Sequence, residues 1–184
     1  YGKDVYDKER YERIRQLSAM MMADLSNKPL EQVEGLFCNE VGYQTPKIDT
    51  RAAIFKEDKI LLVQEKNGTW ALPGGWCDVN VSVMENTIKE VKEEAGLDVV
   101  VKSVIALQDR EKHNQPIYAY KVCKIFMLCE VDGGVFKENS ETVGFDYFTK
   151  DNLPILATEK NNEEQIQMCF DAYKAGENWK TYFD

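Results

Sequence analysis

The stretch that most constrains this chain is residues 70–97, WALPGGWCDVNVSVMENTIKEVKEEAGL. Trp70 to Leu72 reads as the end of a strand, Pro73-Gly74-Gly75 as a tight bend, and the rest as a short loop feeding a helix. Ser82 followed by Glu85 is a capping box: the hydroxyl takes an orphan helix amide and the carboxylate reaches back. Gly96 supplies the left-handed residue that ends helices. Between these caps Met84, Ile88, Val91 and Ala95 recur at helical spacing and predict the buried stripe. Glu90 and Glu94 stand one turn apart, with Glu93 beside both. Like charges so close repel, and near a helix C-terminus the dipole also disfavours anions. A hard divalent cation held by oxygen ligands removes both penalties. The competing reading is a solvated glutamate face with no ligand.

The frame around the carboxylates decides between the two. The segment resembles the signature of the Nudix hydrolases: a glycine, five residues, Glu, seven residues, then Arg-Glu-aliphatic-x-Glu-Glu-x-Gly-aliphatic. Gly75 takes the leading position, and Glu90, Val91, Glu93, Glu94, Gly96 and Leu97 match. Val81 stands where the first Glu is expected and Lys89 where Arg is expected. In the family these two groups support the loop and helix, so one supporting pair has been replaced by another, and Glu85 with Lys89 is the expected substitute. The departure bears on rate and loop geometry. The expected metal ligands are intact.

The chain has 184 residues, enough for one ordinary domain and a small appendage. With 23 Lys and Arg against 32 Asp and Glu, its net charge of −9 leaves no basic groove for long nucleic acid and counts against RNA decapping. An acidic surface still admits a small phosphorylated substrate, because a bound cation inverts the local field. Five cysteines at 38, 77, 123, 129 and 169 lack zinc-type spacing and read as reduced thiols of a cytoplasmic protein. The opening residues are too charged for a signal peptide, and no apolar run reaches transmembrane length, so no membrane association is expected. The first residue is not Met, and more chain is expected before Tyr1.

Residues 1–44 read as a helical segment and 45–184 as the catalytic domain. Tyr11, Ile14, Leu17, Met21 and Leu25 form an apolar stripe; Ser26 to Pro29 breaks the helix, and Leu30, Val33, Leu36 and Phe37 mark a second one. Two short helices bury little alone, so they are expected to pack on the rest or on a second subunit, with Met20 to Met22 as core filler. Gly42 to Asp49 reads as a connector. Strands follow at Ala53–Phe55 and Ile60–Val63 about a Lys56-Glu57-Asp58 turn, and Asn67-Gly68 marks another hairpin. After the central helix, Val99–Leu107, Ile117–Val131 and Phe145–Phe148 read as strands and Glu163–Ala175 as an amphipathic helix. Strands on both sides of one helix, then another helix, suit an α/β protein: an α/β/α sandwich about a mixed sheet. The Nudix resemblance, over about residues 47–176, implies the same fold. The helical start is similar to a bacterial branch acting on nucleoside diphosphates linked to another moiety, ADP-ribose or CDP-choline, and implies a homodimer.

On that resemblance Glu90, Glu93 and Glu94 bind Mg²⁺, with Mn²⁺ as a substitute, and the Gly74 carbonyl adds an oxygen. Glycine is needed there because backbone must approach metal and phosphate with no Cβ between. Water then attacks one phosphorus of the anhydride, releasing a nucleoside monophosphate. The base is either a motif glutamate or a distant acid; Glu141 is the first candidate, then Glu138 and Asp146, against the plain reading of exposed loop carboxylates. Gly75 and Trp76 are placed at the substrate. Tyr118, Tyr120 and Trp70 are further aromatic platforms for a base, although strand aromatics more often belong to the core. Arg110 and His113 lie in a polar loop within reach of a phosphate, or in an ordinary surface loop; with one histidine, a His-based triad is excluded from the preferred readings. Two alternatives stay open: a Nudix-fold binding module of weak turnover, and an interaction protein acting through its N-terminal helices.

Overall fold

The computed structural model describes residues 4–37, 45–118, 120–135 and 142–184. The chain divides into two compact units, one of residues 1–46 with 116–121, the other of 47–115 with 122–184.

In the first unit, α1 spans Val5–Ser26 and α2 spans Leu30–Phe37. Asp4 caps α1 by accepting the Tyr6 N–H at 3.0 Å, and Asn27 ends it in the left-handed region. A small cluster holds the unit together: Ala19 and Val33 are buried, with Met22, Ala23 and Tyr120 against them. The apolar stripe is not buried within the chain. Tyr11, Ile14, Leu17, Met21 and Leu25 are all exposed, Met21 at 73%. Met20 is exposed as well, so only Met22 of the methionine run acts as filler.

The second unit is built on seven strands: β1 Lys47–Lys56, β2 Lys59–Glu65, β3 Trp70–Ala71, β4 Leu97–Asp109, β5 Val122–Gly134, β6 Thr142–Phe148 and β7 Tyr182–Phe183. Their order is β3-β2-β1-β5-β4-β7, with β6 also paired to β2. β1 runs parallel to β5, while β4–β5, β1–β2 and β2–β6 are antiparallel, which makes the sheet mixed. Helix α3, Val83–Ala95, covers one face and α5, Glu163–Ala175, the other. The two-residue period of the strands divides the core between them. Ala52, Ile54, Leu61 and Val63 face Val91 and Ala95, whereas Ala53, Ile60 and Leu62 face Ile166, Cys169 and Phe170. The expected α/β/α sandwich is the observed architecture.

Several boundaries differ from expectation. β1 begins at Lys47, inside the expected connector, because its first residues pair with β5 from Lys47↔Val122 onward. The long strand expected from Ile117 starts only at Val122; Tyr120 instead packs on Ala19 and Val33. Arg110–His113 is not a loop but a one-turn helix, α4. Strand β7 had no sequence signal. Among the described residues no helix is long and apolar enough to cross a membrane.

Candidate active site

The site grows from the way Pro73 to Cys77 runs beside β1. Ala52 N donates to Pro73 O at 2.8 Å, Thr50 N to Gly75 O at 2.9 Å, and Cys77 N to Ile48 O at 2.9 Å. This close backbone pairing explains the two glycines. A Cβ on Gly74, which has φ +144°, would lie 1.9 Å from the Thr50 carbonyl oxygen; one on Gly75 would lie 2.7 Å from Glu90 Oε2. At Gly74 a Cβ would strike the β1 backbone, and at Gly75 it would push the Glu90 carboxylate out of its place.

Helix α3 is then locked onto the bend. The capping box forms as expected, with Glu85 N donating to Ser82 Oγ at 3.2 Å and Ser82 N to Glu85 Oε2 at 2.8 Å. Gly96 ends the helix with φ 68°. The expected stripe holds at Val91 and Ala95, fully buried, and at Ile88, which packs against the same core, but not at Met84, which is 51% exposed; Asn86 and Thr87 are fully buried in addition. Both polar groups are satisfied there, Asn86 Nδ2 donating to Thr50 Oγ1 at 2.9 Å and Thr87 Oγ1 to Val83 O at 2.8 Å. Asn86 thus ties helix to strand, which no apolar periodicity reports.

The three glutamates occupy different environments. Glu94 is buried, 6% exposed, and accepts the Gly74 N–H at 2.8 Å. Burial pushes its carboxyl up to about 7, against the pull of Arg51, the Gly74 amide and Lys160. Glu90 is half-buried and also raised, by desolvation first, with Lys89 pulling it down and Glu93 adding repulsion. Glu93 is exposed. Lys89 does not pair with Glu85, which the capping box already occupies. Its Nζ donates to Asp78 at 2.9 Å and lies 3.6 Å from Glu90 and 3.8 Å from Glu93. The support that replaces the family pair therefore links the loop, through Asp78, to the carboxylate edge.

Among the described residues no three His, Cys, Asp or Glu side chains converge into a ready metal cage. Glu94 is turned to the Gly74 amide, and the Lys89 ammonium stands beside the other two. The donor set nevertheless fits a hard cation: it is all oxygen, one member is costly to ionise unaided, and a cationic group already stands at the opening.

A cavity of about 330 Å³ opens beside the bend, lined by Glu90, Glu93 and Glu94 and by Arg51 and Lys160 among others. An adjoining one of about 420 Å³ shares Glu94 and Lys160. Gly75 and Trp76 line the first, Trp76 at 45% exposure. Sequence reasoning missed Arg51 and Lys160. Arg51 was legible in principle as a lone cation at the head of the apolar run Ala52–Phe55; it is buried and bonds Asp49 through Nε at 3.0 Å and Nη2 at 2.6 Å. Lys160 pairs with Glu65 across 95 positions of chain, which leaves no local signal.

Other expected residues lie elsewhere. Tyr118 and Tyr120 fall in the unit of the N-terminal helices, their rings 5.5 Å apart. Trp70 packs edge-on to Phe148 at 4.9 Å and belongs to the core periphery. Arg110 is buried, not presented from a loop, and His113 Nε2 is held by Asp184 Oδ2 at 2.5 Å. Asp146 is exposed on β6 and accepts the Tyr147 N–H at 2.7 Å. Glu138 and Glu141 lie outside the described residues.

Residues 45–169 match the family model of the NUDIX domain. The chain belongs to the Nudix family. Residues 1–37 match a second model, the UDP-X-like N-terminal oligomerisation domain. A Bacillus subtilis protein provisionally named an ADP-ribose pyrophosphatase is 43% identical over all of this chain and 88% of that protein. A crystal structure from Streptococcus suis, described as an ADP-ribose pyrophosphatase, has a TM-score of 0.72 at 55% identity over 76% of this chain and 100% of that one. A structure of a UDP-X diphosphatase also gives 0.72, at 32% identity over 100% of this chain and 89% of that one. The Nudix chain is a hydrolase of the pyrophosphatase type, and the fold read from its strands is the family's own.

Proposed function

We propose that this Nudix hydrolase is a magnesium-dependent pyrophosphohydrolase of a nucleoside diphosphate linked to a second moiety, ADP-ribose first and CDP-choline next. One observation carries the reading: Glu90, Glu93 and Glu94 line, together with the cations Arg51, Lys89 and Lys160, a cavity of about 330 Å³ beside a glycine bend. A diphosphate carries negative oxygens that need cations around them. Arg51 and Lys160 supply two. Glu90, Glu93 and Glu94, with the Gly74 carbonyl, would hold Mg²⁺ (Mn²⁺ as a substitute) there, where it would neutralise phosphate charge and acidify water. The base is a glutamate of the motif helix or a distal acid, and Glu141 is the first distal candidate. The missing Cβ of Gly75 leaves room for Glu90 against the bend. Trp76 on the rim offers a ring face to the nucleobase. Tyr118, Tyr120, Arg110 and His113 have weaker support, since each is engaged within its own surroundings. Two relatives described as ADP-ribose pyrophosphatases favour that substrate over CDP-choline.

Residues 1–44 form the dimerising segment and 45–184 the catalytic domain. Support comes from the oligomerisation model and from the exposed stripe of α1. The four described cysteines are free, which suits the cytoplasm; activity recovered only outside it on fractionation would contradict this. A magnesium-dependent screen of ADP-ribose, CDP-choline, NADH, a UDP-sugar and nucleoside triphosphates tests the substrate. ADP-ribose should be cleaved to AMP and ribose 5-phosphate. A preference for triphosphates would refute the reading.

A further inference from the structure

Arg51, which lines the cavity, shares its buried partner Asp49 with another buried basic side chain, Lys124. Asp49 and Arg51 are two apart on β1 and face the same side of the sheet, and Asp49 is registered against Lys124 on the parallel β5. Arg51 meets Asp49 through two nitrogens and donates Nη1 to Leu72 O at 3.2 Å. Lys124 is 1% exposed, yet its Nζ makes no hydrogen bond among the described residues. Its nearest carboxylate oxygen, Asp49 Oδ2, is 3.9 Å away, and the Phe126 ring centroid is at 5.7 Å.

For the resting state a full charge here is surplus, and burial first, then the neighbouring Arg51, pulls the Lys124 amine down to about 7. Arg51 alone matches Asp49 in charge and in its planar two-point geometry. A buried ammonium without hydrogen bonds is costly, and an apolar side chain of equal size would avoid the cost. The arrangement becomes useful when Arg51, which lines the cavity, is drawn away from Asp49. A buried carboxylate stripped of its only close partner is strongly unfavourable, and that penalty would hold Arg51 back.

We propose that Lys124 is a relief cation: as Arg51 turns from Asp49 to the phosphates of a nucleoside diphosphate, Lys124 closes on Asp49 and keeps it paired. The proposal rests on the cavity being the substrate site. Arg51 touches the substrate; Asp49 and Lys124 are positioning residues that act through it. The Phe126 face holds the waiting ammonium until it is needed.

Lys124→Met removes the charge at nearly constant volume, and Lys124→Gln serves if that variant does not fold. Turnover of ADP-ribose with magnesium and calorimetric binding of magnesium pyrophosphate are measured together. Lys124→Met should raise KM and the pyrophosphate Kd about tenfold with kcat within about twofold, because Arg51 then stays on Asp49. Adding Asp49→Asn removes the anion that would be stranded and should return both values to within about threefold of the parent. In an Arg51→Met background, Lys124→Met should change neither by more than about twofold. Unchanged KM and Kd in a folded Lys124 variant would overturn the proposal. So would equal damage in the Arg51→Met background, which would make Lys124 a direct contact, or failure of Asp49→Asn to rescue. Absence of wild-type turnover would refute the substrate reading alone, since the pyrophosphate isotherms need no turnover.

Discussion

Glu94→Gln separates stability from activity in a way that the burial of Glu94 makes quantitative. The folded protein holds this carboxyl near 7, against an ordinary value of 4.5. A carboxyl raised in the folded state contributes nothing adverse below about 4.5, where both states are protonated. The native state then loses stability as pH rises, until the loss is complete above about 7. A gap of roughly 2.5 units corresponds to about 3 kcal/mol at pH 8 and about 1 kcal/mol at pH 5. Gln is the neutral isostere and keeps an oxygen for the Gly74 N–H. Urea unfolding in EDTA should therefore find Glu94→Gln more stable than the parent at pH 8, by up to about 3 kcal/mol, with the gain shrinking by about 2 kcal/mol toward pH 5. Magnesium should recover part of the loss in the parent and little in the variant, whose turnover should fall by several orders of magnitude. Stability differences that run parallel from pH 5 to 8, or a variant less stable at pH 8, would refute the argument.

Three further outcomes follow from the geometry. Gly75→Ala meets only the mobile end of Glu90, so it should keep its thermal transition while losing turnover; Gly74→Ala meets the Thr50 carbonyl and should lower Tm sharply. Lys89→Gln removes a cation from beside Glu90 and Glu93, and should lower the magnesium concentration for half-maximal rate severalfold, with little change in the thermal transition because the Lys89 ammonium is solvated. The full chain should show twice its own mass by light scattering, and Leu17→Lys with Met21→Lys, on the exposed stripe of α1, should halve it; an unchanged mass would place the interface elsewhere.

Legibility followed the range of the interactions. Helix α3 could be read because its signals are local: Ser82 and Glu85 close one end and Gly96 the other. The strands could be read as short apolar runs between turn residues, because both faces of the sheet are covered: Ala53 lies in one core, Ala52 and Ile54 in the other. The buried face of α3 was read at Val91 and Ala95 but not at Asn86 and Thr87, which are buried with hydrogen bonds to Thr50 and Val83, and periodicity counts only apolar residues. The glutamate wall was visible as three letters in one turn. The basic groups around it were not, because Arg51 is held by Asp49 and Leu72, Lys160 by Glu65, and Lys124 by its register on β1. Such groups acquire meaning only once the sheet has brought distant segments together. The start of β5 was misplaced for the same reason: Tyr120 looks like a strand aromatic, yet packs on two helices far back in the chain.

The central claim is that the glutamate wall and the glycine bend hold a divalent cation against the substrate's phosphates. Anomalous diffraction from crystals soaked in Mn²⁺ with ADP-ribose measures it most directly. The account predicts density within about 2.3 Å of carboxylate oxygens of Glu90, Glu93 or Glu94, shared with phosphate oxygens. Density that is absent at saturating Mn²⁺, with Lys89 still beside Glu90 and Glu93, would contradict it.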